Sequence, residues 1–214
     1  MKPLPFSLAC LVLTSCLAAI PAGASMRPPQ ASAMRTGPAA LPPLPYVKFC
    51  MQARHLCRDE AEVRLIALGE GRFEALLEVN RAVNRQIRPI RKSRSIAIED
   101  WAINPASGDC NDYALSKRQQ LLDRGFPRSA LLLASATVPG GEGHLVLIAR
   151  TDRGDFVLDN LQDNVVAWNH LPYRWLQRES AAQPLRWEKL APGRPAANGP
   201  AISRAGKTRA GTDA

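Results

Sequence analysis

The chain has 214 residues, a length that suits one domain with appendages rather than several domains. Lys and Arg exceed Asp and Glu by 28 to 19, but seven basic residues and one acidic residue lie in the two ends, residues 1–45 and 191–214. The middle of the chain then holds 21 basic and 18 acidic residues, a near balance that does not indicate a nucleic-acid partner.

The first 24 residues have the three parts of a secretory signal peptide. Lys2 precedes an apolar run over residues 8–20, and the small residues 22–24 follow it. This run is too short for a membrane span, so the pattern predicts export to the periplasm or secretion. Residues 13–16 (LTSC) also resemble a lipobox. Because apolar residues continue past Cys16, simple cleavage after the small residues is favoured, and a lipid anchor at Cys16 is the alternative.

Composition sets the expected limits of the domain. Residues 25–45 are rich in Pro, Ala and Ser without apolar periodicity, which predicts a semi-extended linker. Residues 191–214 predict a disordered tail. The predicted domain is therefore residues 46–190, long enough for a real core. Within it, the basic run 85–94 (RQIRPIRKSR) is compatible with a nucleic-acid patch, a docking surface for an acidic partner or a solvated loop. The solvated loop is favoured in an exported protein, and no aromatic residue interleaves the run to stack on bases.

Several helices and strands are predicted along the domain. Apolar residues at helical spacing predict a helix over residues 71–88, which Pro89 ends. A short strand or extended segment is predicted from Ile96 to Trp101. The second predicted helix covers residues 110–124, with Gly125 as its cap. Four predicted strands follow, over residues 130–138, 145–149, 156–158 and 165–168. Helices first and a small antiparallel sheet afterwards indicate an α+β fold.

Three residues suited to nucleophilic catalysis occur in order. Cys110 opens a predicted helix, His144 opens a strand after a Gly-rich turn, and Asp159 ends the next strand. The positive end of a helix and its unpaired N–H groups favour a thiolate. A hairpin of the two strands would bring His144 beside Asp159. The histidine could then take the proton of the thiol, while the carboxylate orients the imidazole.

Each of these residues also has a structural explanation. A lone Cys in a helix usually belongs to the core, and an Asp after a strand usually forms a turn. Cys50 and Cys57 are seven apart and can form a disulfide in an oxidising compartment. Cys110 is then left over, either as an intermolecular link or as a reactive thiol. Zinc binding by Cys110 and His144 is not supported, because neither CxxC nor HxxxH spacing is present.

Three segments together resemble the bacterial transglutaminase-like cysteine proteinases, the family of the LapG-like periplasmic proteases. Residues 108–118 (GDCNDYALSKR) are similar to its nucleophile segment, residues 141–147 (GEGHLVL) to its histidine segment and residues 154–161 (GDFVLDNL) to its aspartate segment. Upstream, residues 79–84 (VNRAVN), Asp100-Trp101 and the Cys50/Cys57 pair also fit the family pattern, so the resemblance extends over residues 46–180.

This resemblance implies a papain-like or transglutaminase-like α+β core and a Cys-His-Asp triad of Cys110, His144 and Asp159. The function it implies is hydrolysis of peptide bonds in an envelope or cell-surface protein. Two alternatives stay open at the level of sequence. The same triad can transfer its acyl group to an amine instead of water. The chain can also be a catalytically silent binding or adaptor module of the envelope, since a fold can outlive its activity.

The resemblance also suggests residues with supporting roles. Relatives hold calcium with acidic residues around the nucleophile, which makes Asp109, Asn111 and Asp112 candidate ligands. Asn111 stands where such relatives commonly carry a Glu, although calcium accepts amide oxygens. For Asp109, helix capping is the alternative role. Trp101 is a candidate for lining the cleft or positioning an oxyanion, and packing in the core is its alternative.

Overall fold

The structure, a computed structural model, describes residues 29–92 and 100–191. The predicted signal peptide with Cys16, most of the predicted segment 96–101 and the tail after Ala191 lie outside these residues. Among the helices in the described ranges, none is long and apolar enough to cross a membrane.

Three α-helices and nine strands make up the described chain. The helices are α1 (Leu44–Gln52), α2 (Glu70–Gln86) and α3 (Cys110–Asp123). Short 3-10 turns cover Arg54–Leu56, Arg128–Ala130 and Trp168–His170. The strands are β1 (Thr36–Ala40), β2 (Arg88–Pro89), β3 (Ser107–Gly108), β4 (Leu131–Thr137), β5 (Gly143–Thr151), β6 (Gly154–Leu158), β7 (Val166–Ala167), β8 (Arg174–Glu179) and β9 (Trp187–Leu190).

Seven of the strands form one antiparallel sheet in the order β1-β9-β8-β4-β5-β6-β7. The central strand β4 alternates between two cores, with Leu131 and Leu133 on one face of the sheet and Leu132 and Ala134 on the other. The first core also contains the apolar residues of α2 and α3, which pack against that face. The small pair of β2 and β3 is parallel and separate. This is the α+β architecture that the order of elements predicts.

Helices α2 and α3 begin and end close to their predicted limits. The apolar stripe of α2 includes Phe73, Leu76 and Val83, all buried. This helix ends at Gln86, two residues earlier than predicted, because the next residues adopt extended backbone and pair with β3. Helix α3 ends at Asp123, and Gly125 follows with a φ of +76°, a conformation that favours glycine.

The N-terminal boundary of the domain differs from the prediction. Residues 36–40, predicted as part of a linker over 25–45, form strand β1 at the edge of the sheet and pair with β9. Met34 is buried against the second core, and α1 already begins at Leu44. The side chains of this edge strand are mostly exposed on both faces, so its sequence shows no apolar alternation. The boundary predicted from composition, residue 46, therefore lies after strand β1, which belongs to the sheet.

Candidate active site

Helix α3 places Cys110 at its first position. Asp109 is the N-cap, and its carboxylate accepts a hydrogen bond from the Asn111 amide at 3.1 Å. The Asp112 carboxylate accepts in turn from the Asp109 amide at 2.9 Å, which completes a capping box. These bonds hold the first turn of the helix. Cys110 is half-buried and forms no disulfide, so its thiol sits at the positive end of the helix with access to solvent.

The pairing of β5 with β6 brings His144 and Asp159 together. Leu147 pairs with Leu158, so the same register sets Asp159 opposite Val146, one diagonal step from His144. Nε2 of His144 lies 2.7 Å from Oδ1 of Asp159, and both side chains are buried. Cys110 and His144 line the same cleft, and Cys110 contributes to the raised pKa of His144. The structure thus pairs His144 with Asp159 and places His144 and Cys110 in the lining of one cleft.

The surroundings of His144 favour its charged form. Burial by itself lowers the pKa of the imidazole, but the hydrogen bond and negative charge of Asp159, together with the neighbouring Cys110, outweigh it. Together they raise the pKa of His144 to about 9. His144 therefore carries its proton at neutral pH, and an imidazolium beside Cys110 stabilises a thiolate.

Asp159 is fully buried and held by several donors. Burial raises the pKa of this carboxyl, but the hydrogen bonds and charge of His144, together with the bonds from Tyr173 and the Leu161 amide, bring it below the ordinary value. The Tyr173 hydroxyl donates to Oδ2 at 2.6 Å, and the Leu161 amide donates to Oδ1 at 3.0 Å. Tyr173 also packs edge-on against His144, with ring centroids 5.9 Å apart. No signal in the local sequence points to Tyr173, which lies 14 residues after Asp159.

A cleft of about 590 Å³ opens over the thiol. Its lining includes Cys110, His144, Ile90, Leu161 and Trp101. The Trp101 side chain is only 7% exposed and packs 5.7 Å from the ring of Tyr46, so it also belongs to the core. Trp101 therefore both lines the cleft and packs in the core.

Residues 36–195 match the family described as bacterial transglutaminase-like cysteine proteinase. The match spans three quarters of the chain. The chain belongs to this family. Its members are cysteine peptidases, and the half-buried, unbridged Cys110 is in keeping with that class. No curated protein matches the chain.

Solved structures of Legionella pneumophila LapG are similar to the chain. One is 23% identical, with a TM-score of 0.43, and covers 50% of this chain and 65% of that one. A calcium-bound form is 24% identical, with a TM-score of 0.44 and the same coverage. An EGTA-treated form is 23% identical, with a TM-score of 0.43, over 50% of this chain and 63% of that one. The chain thus matches less than two thirds of the length of these structures.

The predicted calcium ligands of this chain do not fit a calcium ion. Calcium takes six to eight oxygen ligands. Both oxygens of Asp112 already accept from the Lys92 ammonium, at 2.7 and 2.6 Å, and each accepts a backbone amide as well. The Asp109 carboxylate caps the helix, and the Asn111 side-chain oxygen lies 3.9 Å from the Cys110 sulfur. Residues 29–92 and 100–191 contain no group of three His, Cys, Asp or Glu arranged to hold a metal.

The sulfur atoms of Cys50 and Cys57 are bonded, with Cα atoms 5.6 Å apart. The bridge joins the end of α1 to the turn that follows it, away from the cleft. Cys110 is accordingly the one unbridged cysteine in the part of the chain that the structure describes.

Proposed function

We propose that this chain is a cysteine proteinase that hydrolyses peptide bonds with Cys110 as nucleophile, His144 as acid and base, and Asp159 as the group that orients His144. The observation that supports it most is that His144, bonded to Asp159, lines the same open cleft as the unbridged Cys110 at a helix start. Membership of a cysteine proteinase family supports the same chemistry.

The proposed reaction proceeds in two steps. The Cys110 thiolate attacks the scissile carbonyl carbon, and the carbonyl oxygen becomes an oxyanion beside the backbone N–H groups of the α3 start. His144 gives its proton to the leaving amine as the C–N bond breaks, which leaves a thioester on Cys110. The now neutral His144 takes a proton from water, whose oxygen attacks the thioester. The carboxylic acid product leaves, and the thiolate and imidazolium are restored.

We further propose that the protein is exported and acts on an envelope or cell-surface protein. The signal-peptide pattern of residues 1–24 supports export. The bridge between Cys50 and Cys57 supports it independently, because disulfides persist in oxidising compartments. Cleavage near residue 24 would leave a chain that starts at Ser25, with residues 191–214 as its tail. The near balance of charge in residues 46–190 makes nucleic acid an unsuitable substrate.

The proposal is tested on the chain from Ser25 with a library of peptides prepared from a bacterial proteome. We expect new peptide N-termini, identified by mass spectrometry, and none with Cys110→Ala. His144→Ala should reduce the cleavage rate by at least about a hundredfold, since it removes both the acid and the base. Cleavage that persists in Cys110→Ala would overturn the assignment of the nucleophile. A fluorescent primary amine added to the same reaction separates hydrolysis from acyl transfer, because only a transferase would attach it to the products.

A further inference from the structure

The buried carboxylate of Asp112 has a fixed cation within the chain. Asp112 is fully buried, two residues after the nucleophile. The Lys92 ammonium donates to both of its oxygens, at 2.7 Å and 2.6 Å, and donates to the Asp100 carbonyl at 2.6 Å. An ammonium has three N–H donors, and these three acceptors use all of them. The Lys92 side chain is 20% exposed, so water screens this ion pair little.

The same carboxylate connects three segments around the cleft. Oδ1 also accepts from the Ala102 amide at 2.8 Å, next to the cleft residue Trp101. Oδ2 accepts from the Asp109 amide at 2.9 Å, next to the nucleophile. Lys92 itself follows β2, which carries one wall of the cleft. Neutralising Asp112 therefore fixes the start of α3 and the Trp101 segment relative to each other.

We propose that Lys92 is a positioning residue: its ammonium is the permanent counter-ion of Asp112 and assembles the active site without calcium. A buried carboxylate needs a compensating charge, which a bound cation or a basic side chain can supply. Here the basic side chain occupies both carboxylate oxygens. A calcium ion would have to displace the ammonium and would bring two positive charges beside it, which Coulomb repulsion opposes. The inference rests on the proposed function, since it concerns the assembly of that same site.

The test measures the rate at which iodoacetamide alkylates Cys110, together with thermal unfolding, and so needs no substrate. The wild-type chain from Ser25 should give the same rate and midpoint in EGTA and in calcium chloride. Lys92→Ala should slow alkylation about tenfold or more, because a displaced first turn moves the thiol away from His144. Propylammonium chloride should restore much of the rate by placing an ammonium in the vacated space. Tetramethylammonium chloride, which has no N–H donor, should not.

Lys48→Ala is the matched control. Lys48 pairs with Asp100 in the same region, 2.6 Å away, but its side chain is 40% exposed and does not touch Asp112. This variant loses the same charge and should change the alkylation rate less than about twofold. Equal effects of Lys92→Ala and Lys48→Ala would overturn the proposal, as would rescue by both ammonium salts.

A second measurement covers the case in which Lys92→Ala does not fold. If EGTA slows alkylation of the wild-type chain and calcium restores it, the site requires calcium and the proposal is wrong. If neither treatment changes the rate and Lys92→Arg, which keeps a cation, retains it within about threefold, the proposal is supported; a loss of about tenfold or more in Lys92→Arg would contradict it. Both results are independent of proteolysis. A chain that passes them but cleaves no peptide would disprove the proposed function and leave this inference standing.

Discussion

Tyr173, in the segment just before β8, donates a hydrogen bond to Asp159 from outside the β5–β6 hairpin. We expect Tyr173→Phe to leave Oδ2 of a buried carboxylate short of a donor, which raises the pKa of Asp159. The pKa of Asp159 lies below its ordinary value in the folded protein, so the ion pair with His144 is lost as the pH falls through it. In the variant this loss should begin at a higher pH.

The alkylation rate of Cys110 measured from pH 7 downwards checks this prediction. The acidic limb should shift to higher pH in Tyr173→Phe. Tyr113→Phe is the control, because that hydroxyl donates to the Ile87 carbonyl instead of Asp159. An identical acidic limb in wild type and Tyr173→Phe would show that the hydroxyl does not tune the carboxylate.

Lys117, like Lys92, is a charged residue that the sequence patterns did not single out. It lies on α3 two turns after Cys110, is fully buried, and packs 5.9 Å from the Tyr113 ring. Within residues 29–92 and 100–191 its ammonium has no hydrogen-bond partner. Burial lowers the pKa of Lys117 to about 7, although the negative charges of Asp159 and Asp163 act in the opposite direction.

Lys117→Met should therefore stabilise the protein in a pH-dependent way. The unfolded lysine keeps its proton up to about pH 10.4 while the folded one loses it near pH 7, so wild-type stability rises between these values. The gain in unfolding free energy from Lys117→Met should be largest at pH 6 and shrink towards pH 10. Urea unfolding at both values measures it, with the exposed Lys48→Met as control. If the gain in unfolding free energy is the same at both pH values, the pKa of Lys117 is not lowered in the folded protein.

At the scale of elements, the contact between β3 and α3 depends on Gly108. A Cβ atom on Gly108 would lie 2.8 Å from Cβ and 2.9 Å from Cγ of Asp112, closer than such atoms approach. Because Asp112 is held by three segments, it has no room to retreat. Gly108→Ala should lower the free energy of unfolding by about 1–3 kcal/mol and slow alkylation of Cys110.

Gly71→Ala gives the matched comparison for this prediction. Gly71 lies in α2, and a Cβ there would meet no atom within 4 Å. The substitution should raise stability by about 0.4–1 kcal/mol, because alanine lowers the conformational entropy of the unfolded chain at a position whose helical backbone it can adopt. Urea unfolding measures the stability of both variants. If Gly108→Ala is as stable as Gly71→Ala, the Asp112 side chain shifts to make room for the added methyl group.

The elements around the candidate site were predictable from sequence because their patterns are local. Helices α2 and α3 follow apolar spacing, and strands β4 to β7 lie within the predicted runs or extend them by a few residues. Strand β8 (RWLQRE) was missed because its buried residues include Arg178 and Glu179, whose charges hide the alternation. Lys92 and Tyr173 were missed for a related reason. Their roles depend on contacts made after the chain has folded, 20 and 14 residues away.

At the scale of the whole molecule, Glu179 joins elements from both halves of the chain. It is fully buried on β8, and its carboxylate accepts from three side chains and one amide. These donors are Tyr46 at 2.6 Å, Arg118 at 3.0 Å, Arg128 at 2.9 Å and the Leu133 amide at 3.1 Å. They belong to α1, α3, the turn before β4, and β4 itself. One carboxylate thus connects the first helix, the nucleophile helix and the centre of the sheet.

Glu179→Gln should consequently destabilise the entire domain rather than one element. The variant leaves two buried guanidinium groups facing a neutral amide, and breaking a buried ion pair in this way costs about 3–5 kcal/mol. That loss is a large part of the stability of a typical domain. Urea unfolding followed by both tryptophan fluorescence and circular dichroism should show one transition at a lower midpoint. Glu188→Gln, a half-buried residue of the neighbouring strand β9, should change the midpoint little. Two separate transitions in Glu179→Gln would mean that the cluster stabilises only part of the fold, and the sheet and helices would then unfold as distinct units.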